Sequence, residues 1–191
     1  TGPGTKAQFG MNGPIRGTLF QDEAHQNNAV INPNEFCQLA IEGEMAVKVG
    51  EDGQIEAAFP IIELHNFIFR AEQKTLVDLI ANNGINAGII LPEMVCQNST
   101  KYLCNDTQLT LFINSLDIGT TGLWPNGDGP EASVSWLKSN LEDCCIELKQ
   151  GSIVLAGTAL GLYSVKNGDE VAVHIDGQLL VSCTIKSSCN L

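Results

Sequence analysis

A chain of 191 residues with 43% hydrophobic content is long enough to bury a full core without a metal or disulfide staple. Its 22 acidic against 10 basic side chains give a formal net charge of −12, which argues against nucleic acid or an anionic membrane as partner, since both need basic surface. No run of about 18 apolar residues occurs, so no transmembrane helix is expected, and with no repeat, low-complexity tract or linker the chain reads as a single domain over residues 1–191.

In chain order, the first strand signal is short, over 29–31. The second, over 39–49, carries Glu42 and Glu44 in the run Leu39-Ala-Ile-Glu-Gly-Glu-Met-Ala-Val-Lys-Val49. Successive strand side chains alternate faces, so these two glutamates share one face while Ile41, Met45, Val47 and Val49 take the other. A third strand over 55–68 sets Glu63 inside the apolar run Ala58-Phe-Pro-Ile-Ile-Glu-Leu64. Like carboxylates close together repel, and a carboxylate between Ile62 and Leu64 is costly to bury alone, so all three call for a compensating cation. Oxygen-only ligands suit Mg²⁺, Mn²⁺ or Ca²⁺ rather than zinc. The same E-x-E pattern also marks the solvated face of a half-buried sheet.

A helix over 75–82 follows, with an apolar stripe at Leu76, Leu79 and Ile80 and Asn83-Gly84 as its stop. Strands are expected over 86–91 and 108–116. The stretch 119–130 reads as a loop, a candidate active-site loop, with Trp124 either facing substrate or anchored over the core. A helix over 133–144, capped by Ser133 or Ser135, places Val134, Leu137 and Leu141 at helical spacing. A strand over 153–156 precedes the clearest hairpin, 170–175 and 178–185, joined by Asp176-Gly177 as a type I′ turn. The whole is a mixed β (α+β) chain with a few peripheral helices.

Cysteines leave the compartment open. Cys96 and Cys104 flank a polar loop and Cys183 and Cys189 stand close enough for a small bridge, which would suit an extracellular protein; the adjacent Cys144-Cys145 and the odd total of 7 fit that less well. Asn98 and Asn105 head two glycosylation sequons, a number this Asn-, Ser- and Thr-content yields by chance.

Six segments carry a resemblance: Gly10-Met-Asn-Gly-Pro-Ile-Arg-Gly-Thr-Leu-Phe20, Ile41-Glu-Gly-Glu-Met45, Pro60-Ile-Ile-Glu63, Val77-Asp-Leu-Ile-Ala-Asn-Asn83, Trp136-Leu-Lys-Ser-Asn-Leu141 and Gly151-Ser-Ile-Val-Leu-Ala-Gly-Thr-Ala159. Their order and spacing are similar to those of 2-keto-4-pentenoate hydratases, members of the fumarylacetoacetate hydrolase superfamily. The resemblance implies that superfamily's β-roll, a homo-oligomer, a cytoplasmic location, and Mg²⁺ or Mn²⁺ held by Glu42, Glu44 and Glu63. The ion would chelate a small 2-oxo acid and stabilise an enolate as water is added or lost. Gly157-Thr158 resembles the family's Thr-Gly-Thr turn, with Ala156 for the first threonine, which implies that Thr158 approaches the substrate carboxylate; simple turn formation is the alternative.

The chain departs from the family where protons move. The family's lysine would lie ahead of Thr1, so the chain has been processed or its lineage has lost that region. Ile15 stands where an aspartate is usual, and Asn66, Ile68 and Asn82 replace an aspartate, an arginine and an aspartate. His65, which shares the Glu63 face and titrates near neutrality, is the candidate catalytic group, ahead of Lys48 and Asp78; each has a bland reading as a core or surface side chain. Arg16 is the candidate for binding a substrate carboxylate, and equally a surface arginine. Two functions follow: a metal-dependent hydratase or lyase on a small 2-oxo acid, or a non-catalytic descendant serving as a secreted glycoprotein or a subunit of a larger assembly.

Overall fold

Strands of alternating character bury one face against a second sheet, and two packed sheets are what the computed structural model contains; it describes residues 9, 11, 13–70, 72–93, 99–103, 107–125 and 129–188. The elements are β1 (Ala24–Gln26), β2 (Ala29–Ile31), β3 (Leu39–Val49), β4 (Ile55–Asn66), α1 (Leu76–Ala81), β5 (Asn86–Leu91), β6 (Gln108–Ile113), β7 (Leu116–Gly122), α2 (Pro130–Glu142), β8 (Ile153–Leu155), β9 (Tyr163–Ser164), β10 (Glu170–Ile175) and β11 (Gln178–Ile185), with short 3₁₀ turns between them. One sheet runs β1-β5-β4-β3-β8, with β9 also on β3; the other runs β2-β11-β10-β6-β7. The mixed β class and β-roll read from the sequence are what the chain adopts.

The main core lies between the sheets. Ile41, Met45, Val47, Ile62 and Leu64 from the first meet Leu111, Val171, Val173, Val181 and Ile185 from the second, all essentially inaccessible. Each side chain so buried contributes about 1.5–3 kcal/mol. Gly43 is needed at this contact, because a Cβ there would stand 3.2 Å from Val173 Cγ2 and 3.3 Å from Leu111 Cδ1. The reverse face of the first sheet carries its own apolar cluster, Ala46, Ala57, Phe59, Ile61 and Ile89.

Most expected elements form within a residue or two. The expected strand over 108–116 is instead a hairpin, broken by Asn114 (φ 53°) and Ser115 (φ 64°). Neither residue is glycine, so the turn signal is weak, yet Asn114 fastens it by donating to Asp169 Oδ1 (2.8 Å) and accepting from Glu170 N (3.0 Å). Its return strand β7 occupies the start of the expected loop over 119–130. Trp124 is core: it is buried and its Nε1 donates to Tyr102 O at 3.0 Å. Helix α2 starts at Pro130 in its first turn, ahead of the serines expected to cap it. Helix α1 is held at its start by Thr75 and Asp78, which cap each other reciprocally; Leu79 is buried in the cluster with Met11 and Ile85, whereas Ile80 is exposed. Among the described residues no helix is long and apolar enough to cross a membrane.

Candidate metal centre

Antiparallel pairing of β3 with β4 sets Glu42 directly opposite Glu63, Glu44 opposite Ile61, and Ala40 opposite His65. Alternation then brings Glu42, Glu44, Glu63 and His65 to one face, the face turned away from the second sheet. They border a cleft of about 1040 Å³ whose other walls come from residues 14–21, β1, residues 83–86, α2 and residues 148–157.

The polar groups on this face are buried as deeply as a core. Glu44 is 2% exposed, His65 7% and Glu63 8%. Asn86 Nδ2 donates to Glu63 Oε1 at 2.6 Å and fixes that carboxylate. Neither oxygen of Glu44 has a hydrogen-bond partner. Burial, with the charges of Glu63 and Glu42 beside it, holds the Glu44 carboxyl well above the ordinary carboxylate range. His65 Nε2 lies 3.5 Å from Glu42 Oε2 and 3.3 Å from Glu63 Oε2, an ion-pair contact longer than a well-formed hydrogen bond. Burial opposes charge on His65, but the neighbouring Glu63 and Glu42 outweigh it, and its pKa lies well above the ordinary histidine value.

A divalent cation fits this donor set, since it would compensate three clustered carboxylates and satisfy the partnerless Glu44. Glu42, Glu63 and His65 offer ligand atoms within 4.8 Å of one another, and Glu44 stands one alternation further along the same face.

The other expected groups separate. Arg16 borders the cleft, with Nη1 3.6 Å from Cys144 Sγ. Thr158 ties the turn after β8 to β3: its buried hydroxyl donates to Gly43 O (2.8 Å) and accepts from Leu160 N (3.1 Å). Lys48 pairs with Glu56 at 2.7 Å outside the cleft. Asp78 caps α1, and hydrogen bonds from Thr75 lower its pKa. Asn66 Oδ1 accepts from Cys37 N at 2.8 Å, a role internal to the fold. Ile15 lines the cleft. The residues 119–125 do not border it. Cys183 is a free, buried thiol, pushed up to about 12 by desolvation; Cys96, Cys104, Cys189, Asn98 and Asn105 fall outside the described residues.

Asn86, Asn83 and His25 were not singled out in the sequence. Asn86 lies at the start of a strand, where asparagine usually reads as a boundary. Asn83 reads as a helix stop, yet its side chain brackets Thr18, accepting from N and donating to O at 2.8 Å each, and so holds the 14–20 segment along the cleft. His25 borders the cleft from β1.

No protein-family model matches the chain. It is 26% identical to 2-keto-4-pentenoate hydratase 1 of Dechloromonas aromatica (strain RCB) over 190 aligned positions, covering 90% of this chain and 70% of that protein. Among solved structures it is similar to 4-oxalocrotonate decarboxylase from Pseudomonas putida G7, complexed with magnesium and adipate, with TM-score 0.86, 18% identity, and 97% of this chain and 74% of that one covered. Fumarylpyruvate hydrolase from Pseudomonas aeruginosa, in complex with Mn²⁺ and pyruvate, aligns with TM-score 0.60 and 14% identity over 86% of this chain and 74% of that one. The resemblance to 2-keto-4-pentenoate hydratases, and to the fold of their superfamily, thus holds in sequence and in structure.

Proposed function

We propose that this chain is a divalent-metal-dependent hydratase, or a related lyase, acting on a small 2-oxo acid. The observation that carries the reading is Glu44: a carboxylate 2% exposed, without a partner, on one cleft-facing surface with Glu42 and Glu63. In this reading those three residues hold Mg²⁺ or Mn²⁺, and Asn86 fixes the orientation of Glu63. A bound ion supplies Lewis acidity toward a 2-oxo group. Arg16, at the cleft wall, pairs with the substrate carboxylate, and the apolar walls exclude bulk water from the reacting carbons. Among the described cleft-lining residues the ionisable groups are Arg16, His25, Glu42, Glu44, Glu63 and His65. His65 is turned to the carboxylates, which leaves His25 as the ionisable side chain available for proton exchange. Assembly as a homo-oligomer is part of the same proposal.

A competing reading, a non-catalytic descendant of the fold, draws on Ile15, an apolar side chain on the cleft wall at a position where an acid would serve proton transfer. Calorimetry separates the two. Mg²⁺ and Mn²⁺ are titrated into wild type and Glu44→Gln, with and without oxalate as a mimic of a 2-oxo acid enolate. Metal-dependent oxalate binding that disappears in Glu44→Gln is the expected result; absence of metal binding by wild type sinks the enzyme reading.

A further inference from the structure

His65 is the part of the cleft floor that a carboxylate-only metal site leaves unexplained. It stands across the ladder from Ala40, with its Nε2 reaching along the strand pair to Glu42. Buried imidazoles normally use one nitrogen as donor and the other as acceptor. Here the residue is 7% exposed and neither nitrogen has a hydrogen-bond partner. Instead, Nε2 is aimed between two carboxylates, 3.5 Å from one and 3.3 Å from the other. A tetrahedral ion with bonds of about 2.1 Å spaces its donors by about 3.4 Å, so each of the two separations from Nε2 suits a pair of ligands on one ion, and the three ligand atoms lie within 4.8 Å of one another.

We propose that His65 Nε2 is a metal ligand beside Glu42 and Glu63, and that the imidazole makes the site select Mn²⁺ and the later borderline ions Co²⁺ and Zn²⁺ over Mg²⁺. Oxygen-only shells suit the hard Mg²⁺, whereas imidazole adds affinity for the borderline ions that a hard ion gains little from. The sequence reading of an oxygen-only shell is thereby revised: the spacing Glu63-x-His65 on one strand face supplies the nitrogen. Exchange of substrate protons at Nε2 and ligation by Nε2 exclude one another, which separates His65 from proton transfer.

The inference rests on the metal reading above, and the test keeps the two apart. Mg²⁺, Mn²⁺ and Zn²⁺ affinities are measured by calorimetry on wild type, His65→Leu and His65→Gln, and Mn²⁺-loaded wild type labelled with ¹⁵N-histidine is examined by pulsed EPR. Because Mn²⁺ and Zn²⁺ outbind Mg²⁺ at most sites, the informative quantity is the change in ratio on mutation. The expected result is a loss of about tenfold or more in Mn²⁺ and Zn²⁺ affinity with Mg²⁺ affinity nearly kept, and a histidine nitrogen coupling in wild type. Equal losses for all ions without nitrogen coupling overturn the inference and leave the carboxylate site standing. No divalent binding by wild type overturns both. The wild-type EPR measurement needs no variant and holds even if both substitutions unfold the chain.

Discussion

The two faces of the β3–β4 ribbon are built from alternate residues of one ladder, yet they obey opposite rules. On the inter-sheet face Ile41, Met45, Val47, Ile62 and Leu64 are inaccessible and every one of them is satisfied by packing. On the cleft face Glu44, Glu63 and His65 are hidden almost as completely, but neither oxygen of Glu44 has a protein partner and His65 meets only the carboxylates of Glu42 and Glu63. Burial therefore stabilises one side and destabilises the other, and the stable side is what lets the strained side persist.

Substitutions should act with opposite sign on the two faces. The largest effect is expected from Leu64→Ala, which opens a void between the sheets and should cost about 2–5 kcal/mol in urea unfolding. Across the ribbon, Glu44→Leu should raise the stability of the chelator-treated protein by about 1–3 kcal/mol, by removing a carboxyl with no partner, while abolishing divalent-ion binding; destabilisation there would mean the carboxylate is paired after all. Asn86→Ala leaves the apolar face untouched and strips Glu63 Oε1 of its donor, so Mn²⁺ binding should weaken about tenfold to a hundredfold and the metal-free protein should lose about 1–3 kcal/mol in urea unfolding.

The smallest effect at any one pH is a slope. Glu44 is raised above its ordinary value of 4.5 and His65 above 6.5, so the folded state binds more protons than the unfolded chain. The stability from both groups is fully present below those values and is lost as pH rises through the folded-state pKa of each. Chelator-treated protein should accordingly lose stability in urea titrations as pH rises above 4.5 and further as it rises above 6.5, and Glu44→Leu should flatten the acidic part of the slope. A stability that rises over this range would contradict the contrast between the faces.

How much of this was legible follows from what each signal contains. The alternation in 39–49 and 55–66 fixes which glutamates share a face, because period 2 is a property of each strand by itself. Register is not: that Glu63 lies across from Glu42, and His65 from Ala40, depends on how the two strands pair. For the same reason Asn86 was unreadable, since its role comes from the third strand of the ladder. The Asn114-Ser115 turn was missed because residues that adopt positive φ at a cost give a weaker signal than Asp176-Gly177. Strands β1 and β9, at three and two residues, are too short to show a period. Thr158 was read through a motif, and its hydroxyl is committed to Gly43 O by contacts that no local pattern encodes.

Gly43 sits between Glu42 and Glu44 and is the point of closest approach to Val173 and Leu111. Its missing side chain makes the gap between the sheets a setting of the carboxylate cluster. A Cβ added there would press on the Val173 and Leu111 side chains, and whatever those cannot yield would push on the ribbon that carries both glutamates. In the metal site proposed above, the aim of the ligands on one side would depend on packing on the other, so altered cation affinity is expected from repacking the interior as well as from editing the cleft.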